Sequence, residues 1–281
     1  MLYSSLHGWL VIDKPYGVSS SAVVTHIKKY IKRSLCAPEV KHFFKIGHGG
    51  TLDPLATGIL PIALGEATKT VSYIMDAFKE YVFDVTWGES RSTDDQEGEV
   101  VETLSYFPSP QEIHSILSAF QGEIWQTPPL YSALKIKGKR SCDRVRRGEI
   151  ITLPPRKIFI EQIRVIECQK KKATFWVRCG KGTYIRSLAR DMAKSLGTRG
   201  YVSALKRTKV GQFNLSCAIS LDNLERLGHK VEEKLFSLNA VLDDIPAVSV
   251  SHDQAKALKQ GQTLVFLDNA QSLLKRGFNL S

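Results

Sequence analysis

Polar and apolar residues alternate with a period of two along "KEYVFDVTWG", which predicts a strand with Tyr81, Phe83, Val85 and Trp87 on one face. Earlier in the chain, "GWLVIDKPYGVSS" predicts a short apolar strand from Trp9 to Ile12, stopped by Pro15 and Gly17. A helix should follow from the serines, because Val23, Val24, Ile27 and Ile31 recur at helical spacing. "GILPIALG" is apolar but carries a proline in its interior, which favours a strand over a helix, whereas "EATKTVSYIMDAF" reads as helical. Ser109 as N-cap, Pro110 as first helical residue and Glu112 as reciprocal partner form a capping box ahead of the stripe Ile113, Ile116, Leu117 and Phe120. The proline-bounded stretch from Gln126 to Gly148 predicts a hairpin or an extended loop. "KATFWVRC" predicts another strand, running into the turn "GKGTY". From there Ile185, Leu188, Ala189, Met192 and Leu196 make a helical stripe that Gly197 ends. Strands and helices interleave irregularly and several adjacent strands read as antiparallel, so the expected class is α+β rather than a doubly wound parallel sheet.

The length of 281 residues allows one large or two modest domains. No apolar run approaches the ~18 residues of a membrane helix, and the first residues lack the charged start and long apolar core of a signal peptide. The five cysteines form no C-x-x-C pair, which disfavours structural zinc and a disulfide framework and makes a cytoplasmic location the expectation. The net charge of +11 is distributed unevenly. Residues 128 to 210 hold 22 Lys and Arg against five Asp and Glu, so the rest of the chain is net negative. Such a field suits a polyanion, either nucleic acid or an anionic membrane surface, or it is a solvated basic face. Tyr131, Phe175, Trp176, Tyr184 and Tyr201 run through the same stretch, and stacking on unpaired bases favours nucleic acid. The character changes after residue 220: residues 221 to 281 carry seven basic and eight acidic side chains. The expected organisation is a body over 1–240 and a short C-terminal module over 241–281.

The unusual chemistry lies in "KIGHGGTLDPLATGIL", residues 45 to 60. Its glycines suggest a phosphate cradle, but a P-loop continues into Gly-Lys-Ser/Thr, and here the turn ends in Leu52-Asp53-Pro54. Asp53 reads either as a helix N-cap or as a carboxylate held on extended backbone by Pro54 for catalysis. His48 is a loop histidine, exposed or functional. Ser92 to Glu99 gathers four acids without a calcium-loop register, so a solvated turn is expected rather than a cation site. Lys181, Arg186 and Arg190 surround a helix start. Because Arg186 and Arg190 lie opposite the apolar stripe, they either face a phosphate or form a solvated face.

Taken in order, "DKPYGVSS", "KIGHGGTLDPLATGILPIALGEATK", "KEYVFDVTWGESRSTDDQEG", "QTPPLYSALKIKGKR", "VRCGKGTYIRSLARDMAKSLG" and "ALKRTKVGQF" resemble the TruB family of tRNA pseudouridine synthases over roughly residues 8 to 220. The resemblance implies the pseudouridine synthase fold, with a mixed, mainly antiparallel sheet flanked by helices. It implies isomerisation of uridine 55 in the tRNA T-arm to pseudouridine in the cytoplasm, with no cofactor, no metal and no obligatory protein partner. By the same resemblance Asp53 is the catalytic carboxylate and Arg186 the arginine that pairs with it. Tyr81 is the tyrosine that stacks on the target base, Tyr184 and Leu205 wall the uracil pocket, and His48 supports the flipped-out nucleotide. Cys142 stands where the family usually has a tyrosine. The 241–281 module would be a reduced PUA-like or TruB C-terminal type. Two rival functions remain on the same fold: an RNA-binding chaperone for tRNA folding, and a synthase acting on other RNAs.

Overall fold

The structure is a computed structural model that describes residues 6–34, 45–242, 245 and 249–264. The alternating segments become strands and the periodic ones helices. In chain order the first half contains β1 (Gly8–Lys14), α1 (Ser20–Ser34), β2 (Ile46–His48), β3 (Thr57–Leu64), α2 (Val71–Asp76), β4 (Lys79–Trp87), β5 (Glu89–Arg91), β6 (Val100–Thr103), α3 (Pro110–Ile116) and β7 (Gly122–Gln126). The stretch from Gln126 to Gly148 holds the small hairpin β8 (Lys135–Ile136) and β9 (Lys139–Arg140), followed by α4 (Ser141–Val145). Then come β10 (Arg156–Gln169), β11 (Lys172–Cys179), α5 (Ile185–Ser195), β12 (Gly200–Val210), β13 (Phe213–Asn214), β14 (Ile219–Ser220) and α6 (Leu221–Arg226), and later α7 (His252–Lys259).

Ten strands form one sheet in the order β14-β1-β3-β12-β4-β11-β10-β7, with β13 on β12 and β2 on β3. Only the β1–β14 and β3–β12 pairings are parallel, so the sheet is mixed and mainly antiparallel, as expected. The β3–β12 junction is short, pairing Thr57 with Lys206 and Gly58 with Arg207. Gly58 has φ +99°, and a Cβ there would meet the Arg207 carbonyl oxygen at 2.2 Å, so the junction requires glycine. This junction brings the loop before β3 against the middle of β12.

Tyr81, Phe83, Val85 and Trp87 are all buried on the same side of β4. Phe83 stacks on Phe175 of β11 at 5.3 Å, and Trp87 meets the same ring edge-on at 6.3 Å. Leu188, Ala189 and Met192 of α5 join this core, as do Val23, Ile27 and Ile31 of α1. The expected capping box at Ser109 is present, with Glu112 returning to the Ser109 N–H at 2.7 Å. The segment read as one helix from Glu66 to Phe78 is instead a 3₁₀ stretch, Gly65–Thr70, followed by the single short helix α2. The described residues fall into two compact units, one ending at Leu238 and the other starting at Asn239. The second contains α7, whose own capping box pairs Ser251 with Gln254. The rest of that unit from residue 265 lies outside the described residues.

Candidate active site

Three buried groups hold the loop from Gly49 to Ala56. Lys14, at the end of β1, donates from Nζ to the carbonyls of Pro15 (2.9 Å), Val18 (2.6 Å) and Pro54 (3.0 Å). The Ser20 hydroxyl, at the start of α1, donates to the Leu52 carbonyl and accepts from the Leu52 N–H, both at 2.8 Å. Arg207, on β12, donates to the carbonyls of Ile59 (2.7 Å), Thr51 (3.2 Å) and Gly50 (3.0 Å). Burial lowers the Lys14 ammonium to about 8, with nearby Asp53 raising it and Arg207 lowering it further. Asp53 therefore sits on a backbone fixed from both sides. It opens a turn in which the Ala56 N–H donates to the Asp53 carbonyl at 3.1 Å, so it does not cap a helix. We expect Ser20→Ala to leave both Leu52 backbone groups unsatisfied, at a cost of about 1–3 kcal/mol measured by urea unfolding.

The Asp53 carboxylate, with its side chain 34% exposed, meets the buried Arg186 side chain of α5 through both oxygens. Arg186 Nε donates to Oδ2 at 2.9 Å and Nη2 to Oδ1 at 3.2 Å. The same guanidinium donates to the carbonyls of Thr93 (2.9 Å) and Tyr131 (3.0 Å), and its Nε lies 3.5 Å from Asp95. One turn later Arg190 donates to Asp94 at 2.8 Å and to the Thr127 carbonyl at 2.7 Å. Burial alone would lower the Arg186 guanidinium, but Asp53, Asp95 and Asp94 together raise it. A two-pronged pair of this kind fixes the carboxylate plane as well as its position.

This geometry corrects two expectations. The acidic segment after Ser92 is not a solvated turn: Thr93 and Asp95 are buried, and Val202 of β12 donates its N–H to the Asp94 carbonyl at 3.0 Å. Arg186 and Arg190 are neither a solvated face nor free to meet a phosphate, because acids and carbonyls already engage both guanidinia. Among the described residues, no group of three His, Cys, Asp or Glu side chains could hold a metal ion. No described helix is long and apolar enough to cross a membrane.

Asp53, Tyr81, Tyr184, Arg186 and Leu205 line one cavity of about 580 Å³. Tyr81 is nearly fully buried, and burial raises its phenol, so it presents a neutral ring. Tyr184 stands at the N-cap of α5, its backbone tied to the side chain of Gln126 by two hydrogen bonds of 2.8 and 3.1 Å. The Arg156 guanidinium lies 4.9 Å over its ring. His48 is not in that cavity. It ends β2 rather than sitting in a free loop, and it lines a second cavity of about 580 Å³ that shares Asp53 and Arg186 with the first. Burial lowers the His48 imidazole, helped by Arg207 and Arg140, so the ring is neutral. Its buried Nδ1 has no hydrogen-bond partner among the described residues. Arg140, Cys142 and Arg146, from the hairpin and α4, line the same second cavity.

Lys14, Asp95 and Arg207 complete the site beside the residues expected there. A two-residue parity with Leu205 along "ALKRTKV" points Arg207 to the cavity face, and that signal was available. Asp95 carries no local signal, since it meets Arg186 from 91 residues away.

The structure aligns with the crystal structure of a Cbf5–Nop10–Gar1 complex at a TM-score of 0.69 and 28% identity, over 91% of this chain and 67% of that one. The fold is that of the pseudouridine synthases. Residues 37–185 match the N-terminal domain model of the TruB family pseudouridylate synthases, and residues 186–247 match the tRNA pseudouridylate synthase B C-terminal domain. The chain belongs to the TruB family. It is 48% identical over 270 residues to the tRNA pseudouridine synthase B of Zymomonas mobilis subsp. mobilis, covering 95% of this chain and 87% of that protein. To the protein of the same name from Rhodospirillum rubrum it is 47% identical over 266 residues, covering 94% and 83%.

Proposed function

We propose that the protein isomerises uridine 55 in the T-arm of tRNA to pseudouridine, with Asp53 as the catalytic carboxylate acting on a flipped-out base. The observation that carries this reading is the Asp53 carboxylate, held through both oxygens by buried Arg186 at a cavity walled by Tyr81, Tyr184 and Leu205. A glycosidase needs two carboxylates because it must activate an outside water. In this isomerisation the departing base is itself the returning nucleophile, so one carboxylate suffices. The N1–C1′ bond breaks, the ring turns, a C5–C1′ bond forms, and the C5 proton leaves while N1 takes one up. Water must stay out, because hydrolysis would leave an abasic site.

Tyr81 offers a ring for the uracil to stack on, and its neutral phenol suits stacking better than proton abstraction. Leu205 and Tyr184 wall the base, and neutral His48 supports the flipped-out nucleotide from the adjoining cavity. Extrusion costs roughly a few kcal/mol, which phosphate contacts elsewhere offset. Arg186, Arg190 and Arg207 are engaged internally, so those contacts fall to exposed cations such as Lys135, Lys139, Arg140 and Arg146 around the hairpin and α4. Residues 1–240 act as the catalytic body and 241–281 as a reduced accessory module, in a cytoplasmic enzyme with no obligatory protein partner.

Affinity for tRNA should fall steeply with salt, with log K losing about 0.7–0.9 per phosphate contact for each decade of salt. A filter-binding series checks this, and a flat dependence contradicts the assignment of the basic face. The functional test is incubation of the purified protein alone with unmodified tRNA, followed by mass-spectrometric mapping. Pseudouridine at position 55 is the expected result. Binding without modification would instead favour a chaperone, and modification elsewhere another substrate.

A further inference from the structure

Two buried lysines flank this site, and their hydrogen bonding differs. The Lys14 ammonium is saturated, with three carbonyls for its three N–H groups. Lys79, at the start of β4, is only 7% exposed. It donates to the carbonyl of Ala77 at 2.6 Å and to that of Met75. Among the described residues nothing accepts its third N–H, and no carboxylate lies within ion-pair distance of it. The cavity's own acids are taken: Asp53 by Arg186, and Asp76 by Lys181 at 3.0 Å. Lys79 lies two residues before Tyr81, on the same inward side of β4, and both line the cavity. A buried ammonium without a counter-charge is costly. Clamping two carbonyls of the α2–β4 turn does not require a charge there.

We propose that Lys79 is a catalytic residue of this site, donating its remaining N–H to the uracil ring as that ring becomes negatively charged. The inference rests on the function proposed above. Breaking the N1–C1′ bond sends its electron pair into the uracil, where the charge spreads over N1, O2 and O4. If Asp53 instead adds to the base at C6, the charge appears on O4. Either way the ring is neutral in the bound uridine and anionic at the critical step. A fixed cation beside it therefore favours the transition state over the ground state. The negative charge then returns to the C5–C1′ bond as it forms, and the C5 proton leaves as N1 is protonated, with no other reactant consumed.

The charge state supports a pH test. Burial lowers the Lys79 ammonium to about 8. Arg207 on β12 lowers it too, Cys179 on β11 and Asp76 on α2 raise it, and Lys181 after β11 lowers it. Cys179 remains a neutral thiol, pushed up to about 12 by its own burial. Lys79 thus carries its charge below about pH 8 and loses it above.

The experiment measures single-turnover pseudouridine formation and RNA affinity, using a T-arm stem-loop and the full chain. Lys79→Gln keeps donors for the Met75 and Ala77 carbonyls and removes the charge, and Lys79→Met removes both. At pH 7 both variants should lose about 10²–10³-fold in rate while RNA affinity stays within about threefold of wild type. The wild-type rate should fall above about pH 8, and the variants should lack that limb. A variant rate within about threefold of wild type, an equal loss of affinity and rate (a phosphate contact), or the same alkaline limb in both variants would each overturn the inference. Should neither variant fold, a wild-type profile flat through pH 8 to 9 overturns it alone, and Lys79→Arg, which keeps its charge there, separates Lys79 from Lys14: a rate level through pH 8 to 9 upholds the inference, and a fall like that of wild type overturns it. If wild type forms no pseudouridine at all, the proposed function fails first and separately.

Discussion

Replacing Asp53 by asparagine should abolish pseudouridine formation, by about 10⁴-fold or more in single-turnover rate, while tRNA affinity changes by less than about threefold. The substitution conserves volume, and the amide oxygen can still accept one of the two Arg186 hydrogen bonds. It removes the charge and the second acceptor. The fold should tolerate this, because Arg186 keeps the Thr93 and Tyr131 carbonyls and Asp95, and the Asp53 loop keeps Lys14, Ser20 and Arg207. Binding should be spared, because in the proposed function phosphate contacts, not Asp53, supply affinity. A gel-shift titration beside the rate measurement checks the separation. A parallel loss of affinity would mean that Asp53 holds RNA rather than transforming it.

Arg186→Met should damage both stability and catalysis. It leaves Asp53 and Asp95 without their shared cation and strips donors from the Thr93 and Tyr131 carbonyls. Breaking a buried pair from one side costs about 3–5 kcal/mol, which urea unfolding would show directly. The rate should fall by about 10²-fold or more through loss of carboxylate orientation alone. Arg186→Lys restores a charge but not the planar fork, so it should recover part of the stability and little of the rate. If Arg186→Met unfolds at the wild-type urea midpoint, the guanidinium is not the keystone that its five contacts suggest.

Elements governed by local pattern were legible in the chain. The alternation of β4, the Ser109 capping box and the end of α5 at Gly197 depend on neighbours a few residues away, and each forms as expected. The resemblance likewise named side chains that the fold gathers, with Asp53, Tyr81, Tyr184, Arg186 and Leu205 around one cavity. What stayed hidden was the cover over the polar side of α5. A helical projection puts Arg186 and Arg190 opposite the apolar stripe and so in water. The fold instead lays the 93–95 acids and the 127–131 carbonyls across them. Those contacts span 55 to 96 residues and leave no periodic trace. Lys14 stayed hidden for a related reason: its partners are backbone carbonyls, which every sequence supplies and none advertises.

Pseudouridine formation must expel the hydrogen at C5 of the target, so tritium placed there reports bond exchange without any separation of products. Enzyme in excess over a T-arm stem-loop labelled at C5 gives the most direct reading of what the Asp53 carboxylate does. Wild type should release one tritium per RNA to water, and the Asp53→Asn protein should release none while holding the same RNA. Release by the asparagine variant at a rate near wild type would contradict the account.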